Sequence, residues 1–117
     1  MNNLKDKLYQ KIQEHRPKIT QLLEEHGDVV IDQVTVAQVI GGMRGIKSLV
    51  TDISYLDPFE GIRYRGFTLP EVLAKLPKPD GAEMPFVEGL YYLLLTGEMP
   101  TKEEVESLVV DFKNRRV

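Results

Sequence analysis

Leu4, Leu8, Ile12, His15, Ile19 and Leu22 recur at steps of three and four, the spacing that lines one side of an α-helix. Pro17 interrupts this stripe. It has no N–H for the ladder and crowds the carbonyl of Gln13, so a kink or a fresh start is expected there. The segment ends at His26-Gly27, with Gly27 expected to supply the left-handed residue that commonly closes a helix. From Val29 to Val36 the residues become β-branched and roughly alternating, which predicts a short strand. Val39 to Gly42 predicts a helical turn before the glycines break it. Leu49 to Leu56 and Ile62 to Phe67 predict a hairpin joined through Asp57-Pro58-Phe59-Glu60-Gly61. Within it Ile62 and Tyr64 share one face, Arg63 and Arg65 the other.

Thr68-Leu69-Pro70-Glu71 has the form of a capping box: the threonine hydroxyl accepts the third backbone N–H while the glutamate reaches back. It opens a helix with Leu69, Val72, Leu73 and Leu76 as its apolar stripe, stopped by Pro77-Lys78-Pro79-Asp80-Gly81. The next helix, about Pro85 to Thr96, has no polar side between Leu90 and Leu95 and is capped by Gly97. Thr101-Lys102-Glu103-Glu104 is a second capping box, followed by the stripe Val105, Leu108, Val109 and Phe112. The expected fold is mainly α with a small antiparallel β-hairpin or sheet. It comprises a long N-terminal helix, a hairpin region at about 29–67 and three helices at about 69–116. A helix apolar on every side takes up many of a small domain's few interior positions. Its neighbours are therefore expected outside this chain, and the chain is expected to oligomerise or to expose apolar surface. The last helix ends on Lys113, Arg115 and Arg116 with no glycine or proline to close it, so it is expected to be interrupted.

The 117 residues fit one domain or part of a larger one. A net charge of -3 offers no basic excess for a nucleic-acid partner. The absence of cysteine excludes disulfides, thiolate metal sites and thiol nucleophiles. The stretch Met1 to Lys11 reads as neither a secretory signal nor an Arg- and Ser-rich transit peptide, and Leu90 to Leu95 is too short to span a bilayer. The expectation is a soluble, cytoplasmic protein with no membrane partner.

Chemistry concentrates in Gly41-Gly42-Met43-Arg44-Gly45-Ile46-Lys47. Glycines let the main chain approach a ligand, and an arginine fork can hold a phosphate with two hydrogen bonds. The string is neither a P-loop nor a dinucleotide fingerprint, and an arginine closing a turn by bonding carbonyls fits it as well. Arg63 and Arg65 fit either an anion cradle or an ion-paired face with Asp52 and Glu60, and the second reading is favoured. His15 is expected in a core or interface, and His26 at a helix end where its cation meets the dipole. About three turns apart, they form no joint site. Glu24-Glu25 and Glu103-Glu104 read as solvated faces, and Tyr91-Tyr92 as core and interface.

The ordered strings Gly41-Gly42-Met43-Arg44-Gly45, Leu56-Asp57-Pro58, Glu60-Gly61-Ile62-Arg63-Tyr64-Arg65-Gly66, Glu88-Gly89-Leu90 and Leu95-Thr96-Gly97-Glu98-Met99-Pro100-Thr101 resemble the N-terminal region of the citrate synthases, in their eukaryotic (mitochondrial) sequence type. The likeness runs from about Leu4 to Arg116. It implies that residues 1–117 are the N-terminal segment of the family's large domain. It also implies a homodimeric acyltransferase of the tricarboxylic acid cycle, which condenses acetyl-CoA with oxaloacetate to citrate and CoA. The resemblance places the family's catalytic histidines, its aspartate and its oxaloacetate-clamping arginines outside this chain, so no catalytic residue is assigned and the chain alone is expected to be inactive. Arg44 matches an arginine associated with the phosphates of CoA, with Lys47 a weaker candidate beside it. The resemblance implies no metal and no tightly bound cofactor; acetyl-CoA and CoA are substrate and product of the full-length enzyme. A 2-methylcitrate synthase segment, or a non-catalytic scaffold or dimerisation module, are the alternatives.

Overall fold

The apolar stripe at the start of the chain forms helix α1 (Leu4–His26), which passes through Pro17 without restarting. The proline forfeits one ladder bond, and the bonds on either side keep the helix continuous. Gly27 departs from expectation. Its N–H donates to the Leu23 carbonyl at 3.0 Å, but the residue is not left-handed. It is glycine for a different reason: a Cβ there would stand 2.4 Å from the Leu23 oxygen. The computed structural model describes residues 4–116; the terminal residues 1–3 and 117 of the predicted segment lie outside them. The described chain divides into two units, residues 4–13 with 51–116 and residues 14–50.

In the unit 14–50, the strand predicted at Val29 to Val36 does not form. β-branched side chains favour extended backbone, but a strand also needs a second row of N–H and C=O groups, and none of the described residues supplies one. Thr35 instead caps helix α2 (Val36–Ile40) through a full capping box with Gln38.

The unit formed by 4–13 and 51–116 holds a three-stranded antiparallel sheet ordered β1 (Ser54–Asp57), β2 (Gly61–Tyr64) and β3 (Phe67–Thr68). Leu56 pairs with Ile62 and Tyr64 with Phe67. The Asp57 carboxylate shapes the first turn by accepting from the N–H groups of Phe59 and Glu60 at 2.8 and 2.9 Å. Those donors lower its pKa below the usual aspartate value. The predicted arms shorten at the ends away from this turn because Arg65 and Gly66 turn the chain again, at φ values of 50° and 86°. Two consecutive left-handed residues match the twist of a tight hairpin. Arg65 therefore leaves the face that it was expected to share with Arg63.

Three helices follow: α3 (Leu69–Lys75), α4 (Val87–Thr96) and α5 (Lys102–Arg115). The capping boxes at Thr68/Glu71 and Thr101/Glu104 are both made, and Gly97 closes α4 in the left-handed conformation at φ 76°. Val72, Leu76 and Leu93 form the core cluster, with Tyr64, Phe67, Leu90 and Met99 packed on it. Tyr92, Val105 and Leu108 are buried as well. Gly89 allows the closest approach: a Cβ there would meet Val105 at 3.4 Å and Leu76 at 3.5 Å. Lys7 and Lys11 of α1 both grip Glu98, at 2.7 and 2.5 Å. Among the described residues, 24 large apolar side chains are exposed against six in the core, so the expected apolar surface is present. No helix among the described residues is long and apolar enough to cross a membrane.

Candidate functional site

Gln38 organises the segment that carries Arg44. Its Oε1 accepts from the N–H and hydroxyl of Thr35 at 3.0 and 3.1 Å. Its main-chain carbonyl accepts from the N–H of Met43 at 2.7 Å, and its Nε2 lies 3.5 Å from the Arg44 carbonyl. The chain wraps tightly around this residue. Gly42, Met43 and Gly45 have φ values of 81°, 61° and 72°, a conformation that glycine adopts freely and methionine only at some cost.

The turn spends part of its hydrogen-bonding capacity on itself. The N–H groups of Gly41, Gly42, Met43 and Ile46 donate to carbonyls of Ala37, Val39, Gln38 and Met43. Those of Arg44, Gly45 and Lys47 find no acceptor among the described residues. The side chains of Arg44 and Lys47 are exposed and have no ion-pair or hydrogen-bond partner among the described residues. The site is thus two solvated cations and three free main-chain N–H groups on a turn anchored by Gln38, an arrangement suited to binding an anion. The reading of Arg44 as an arginine bonding turn carbonyls does not hold, because its side chain meets no carbonyl among the described residues. Gln38 was missed in the sequence, although Thr35-x-x-Gln38 has the capping-box form.

The other candidates disperse. Arg63 pairs with Glu60 through Nε at 3.0 Å and Nη2 at 2.6 Å. Arg65 pairs with Asp52 at 2.8 Å, and its Nε and Nη2 both donate to the Leu94 carbonyl at 2.9 and 2.6 Å. The favoured ion-paired reading holds, and Arg65 in addition closes the C-terminus of α4. His15 is exposed rather than placed in a core. His26 lies 3.8 Å from Glu25 in the last turn of α1. Glu104 is no free carboxylate: it accepts from the Thr101 N–H at 2.8 Å and from the Tyr92 hydroxyl at 2.9 Å. Burial, then the adjacent Glu104, push the Tyr92 phenol far above its ordinary value. Lys11 and then Lys7 hold the Glu98 carboxyl below the usual range. No group of three acidic or histidine side chains suited to a metal occurs among the described residues.

Comparison with known proteins gives a consistent result. A family model described as "Citrate synthase, C-terminal domain" matches residues 42–117, beginning inside the Gly42–Gly45 turn. The chain is 46% identical over 114 residues to the mitochondrial 2-methylcitrate synthase of Yarrowia lipolytica, covering 97% of this chain and 24% of that protein. It is 46% identical over 113 residues to the mitochondrial citrate synthase 4 of Arabidopsis thaliana, with 97% and 24% covered. Against the mitochondrial citrate synthase of Neurospora crassa it is 47% identical over 112 residues, with 96% and 24% covered. The chain therefore spans about a quarter of the length of these relatives. All three carry "mitochondrial" in their names, which overturns the cytoplasmic expectation. That expectation rested on the polar character of residues 1–11, a property of the stretch itself that does not report the compartment.

Proposed function

Because the chain belongs to the citrate synthase family, we propose that it is the N-terminal segment of an acyltransferase condensing acetyl-CoA with oxaloacetate to citrate and CoA. The observation that carries this reading is the match over residues 42–117 together with 46–47% identity to proteins named for that chemistry. In this reading the segment supplies scaffold and one substrate contact. Arg44, seconded by Lys47 and the free N–H groups around Gly45, meets the phosphates of CoA. The proton transfer, the attack on the ketone and the hydrolysis are carried out by residues elsewhere in a full-length homodimer. A 2-methylcitrate synthase, taking propionyl-CoA, is the second reading, favoured by the Yarrowia lipolytica relative at equal identity.

The test grafts this chain into the Neurospora crassa enzyme in place of the matched residues and compares acetyl-CoA with propionyl-CoA. Arg44→Ala in the graft should raise KM for the CoA thioester about tenfold, with kcat little changed. That is the signature of a lost contact made equally in the ground and transition states. An exposed contact sits at the low end of the about 1.5–3 kcal/mol of a charged hydrogen bond. The effect should shrink with added salt. An unchanged KM removes the phosphate role from Arg44. Turnover by the purified 117-residue chain, lost on changing His15 or His26, would refute its inactivity.

A further inference from the structure

Two separate anchors converge on residues 94–98, where α4 ends. Arg65 donates from Nε and Nη2 to the Leu94 carbonyl. It also holds the chain at 52–53: its N–H donates to the Ile53 carbonyl at 2.9 Å, and its Nη1 pairs with Asp52 at 2.8 Å. Directly after Gly97, Glu98 takes both Lys7 and Lys11 of α1. The fold sets Glu98 in place for this. Its N–H donates to the Thr96 hydroxyl at 3.2 Å, and that buried hydroxyl donates in turn to the Tyr92 carbonyl at 2.9 Å.

The two anchors share one property. Lys7 and Lys11 stand just before residue 14, and Asp52 and Ile53 just after residue 50. Both ends of the segment 14–50 are thus fastened to one short stretch of the other unit. On the first side α1 carries the fastening onward, because it is continuous through residue 14. Fastened ends remove freedom that a segment of this length otherwise keeps at its attachments. An isolated exposed ion pair contributes little, but here two lysines, each with its side chain 22% exposed, share one carboxylate.

We propose that Glu98 and Arg65 are positioning residues for the Gly41–Lys47 turn, acting through the two ends of the segment that bears it. The proposal deepens the reading of that turn as the holder of CoA phosphates, and rests on it. Neither residue touches the ligand.

The absence of cysteine allows a direct test. Ser48→Cys, in the segment, and Ser107→Cys, on α5, are both at exposed positions and take spin labels in the 117-residue chain. Double electron–electron resonance then reads the distribution of distances between them. The parent chain should give one narrow distribution. Glu98→Lys, which sets three cations together, should widen it about twofold or more, and Lys7→Glu with Lys11→Glu should restore it by exchanging the charges. Arg65→Met should widen it as well, without rescue by that exchange. A parent distribution already as broad as that of Glu98→Lys overturns the proposal. So does an unchanged width in Glu98→Lys, or widening that the charge exchange leaves in place. If Glu98→Lys does not fold by circular dichroism, Glu98→Gln replaces it, with widening expected and an unchanged width refuting.

In the Neurospora crassa graft, Glu98→Lys should raise KM for acetyl-CoA about threefold with kcat unchanged. It should add nothing in an Arg44→Ala background, because the contact it positions is already gone. A KM that responds to Arg44→Ala but not to Glu98→Lys refutes the positioning role, and so do equal losses with and without Arg44. If Arg44→Ala itself leaves KM unchanged, the phosphate reading falls, and the distance widths alone decide whether the two anchors fix the segment.

Discussion

Removing the guanidinium of Arg65 should unfasten the end of α4. The side chain is 15% exposed, and its Nε and Nη2 converge on the Leu94 carbonyl at 2.9 and 2.6 Å, with Leu95 at 3.5 Å. A hydrogen bond to a charged group contributes about 1.5–3 kcal/mol. A cation at a helix C-terminus adds up to about 1 kcal/mol. The pair with Asp52 adds little, because that carboxylate is largely in water. Arg65→Met, which keeps the aliphatic stem, should therefore cost about 2–4 kcal/mol. At about 1.4 kcal/mol per factor of ten, local opening should rise from about 30-fold to several hundredfold.

Arg65→Gly loses the same bonds but relieves a left-handed backbone worth about 1–2 kcal/mol, since φ is 50° here. It should be the milder change. Amide hydrogen exchange read at Leu93 to Gly97 measures both variants even if global stability is low. Protection in Arg65→Met within threefold of the parent chain would refute the capping role. A glycine variant less protected than the methionine one would refute the assignment of strain.

Two further outcomes follow from the same unit. The pKa of Glu98 is lowered by Lys11 and Lys7, so the stabilisation it gives is full above the ordinary glutamate value of 4.5 and is lost as pH falls below it. Protection at residues 7–11, taken relative to the intrinsic exchange rate at each pH, should fall on acidification through that window, and Glu98→Gln should remove that fall; an unchanged protection profile in Glu98→Gln would count against the clamp. Tyr92→Phe removes a hydroxyl bonded to Glu104 at 2.9 Å, while Glu104 keeps the Thr101 N–H. The loss should be about 1–2 kcal/mol in urea unfolding, and a variant as stable as the parent would show that bond to be immaterial.

Thr68-x-x-Glu71 and Thr101-x-x-Glu104 were legible because a capping box closes within four residues and consults nothing else. The same holds for Gly97, and for Arg63, whose partner Glu60 lies three residues away. Thr35-x-x-Gln38 carried the same signal and went unread behind a β-branched run. That run did not become a strand because pairing, unlike capping, needs a second segment. Arg44 and Lys47 stood out among glycines, but only the folded turn shows which N–H groups it leaves free.

The sequence by itself determined the starts of α3 and α5, the stop of α4 at Gly97, the mainly helical class and the family, all properties of short contiguous strings. Tertiary structure alone decided that Arg65 would cap a helix 29 residues away, and which side of the apolar helix α4 would face the core. The physical reason is the same in both cases. A side chain's partner across the fold depends on where whole elements come to rest, and that is set by the combined packing of many residues rather than by any local pattern.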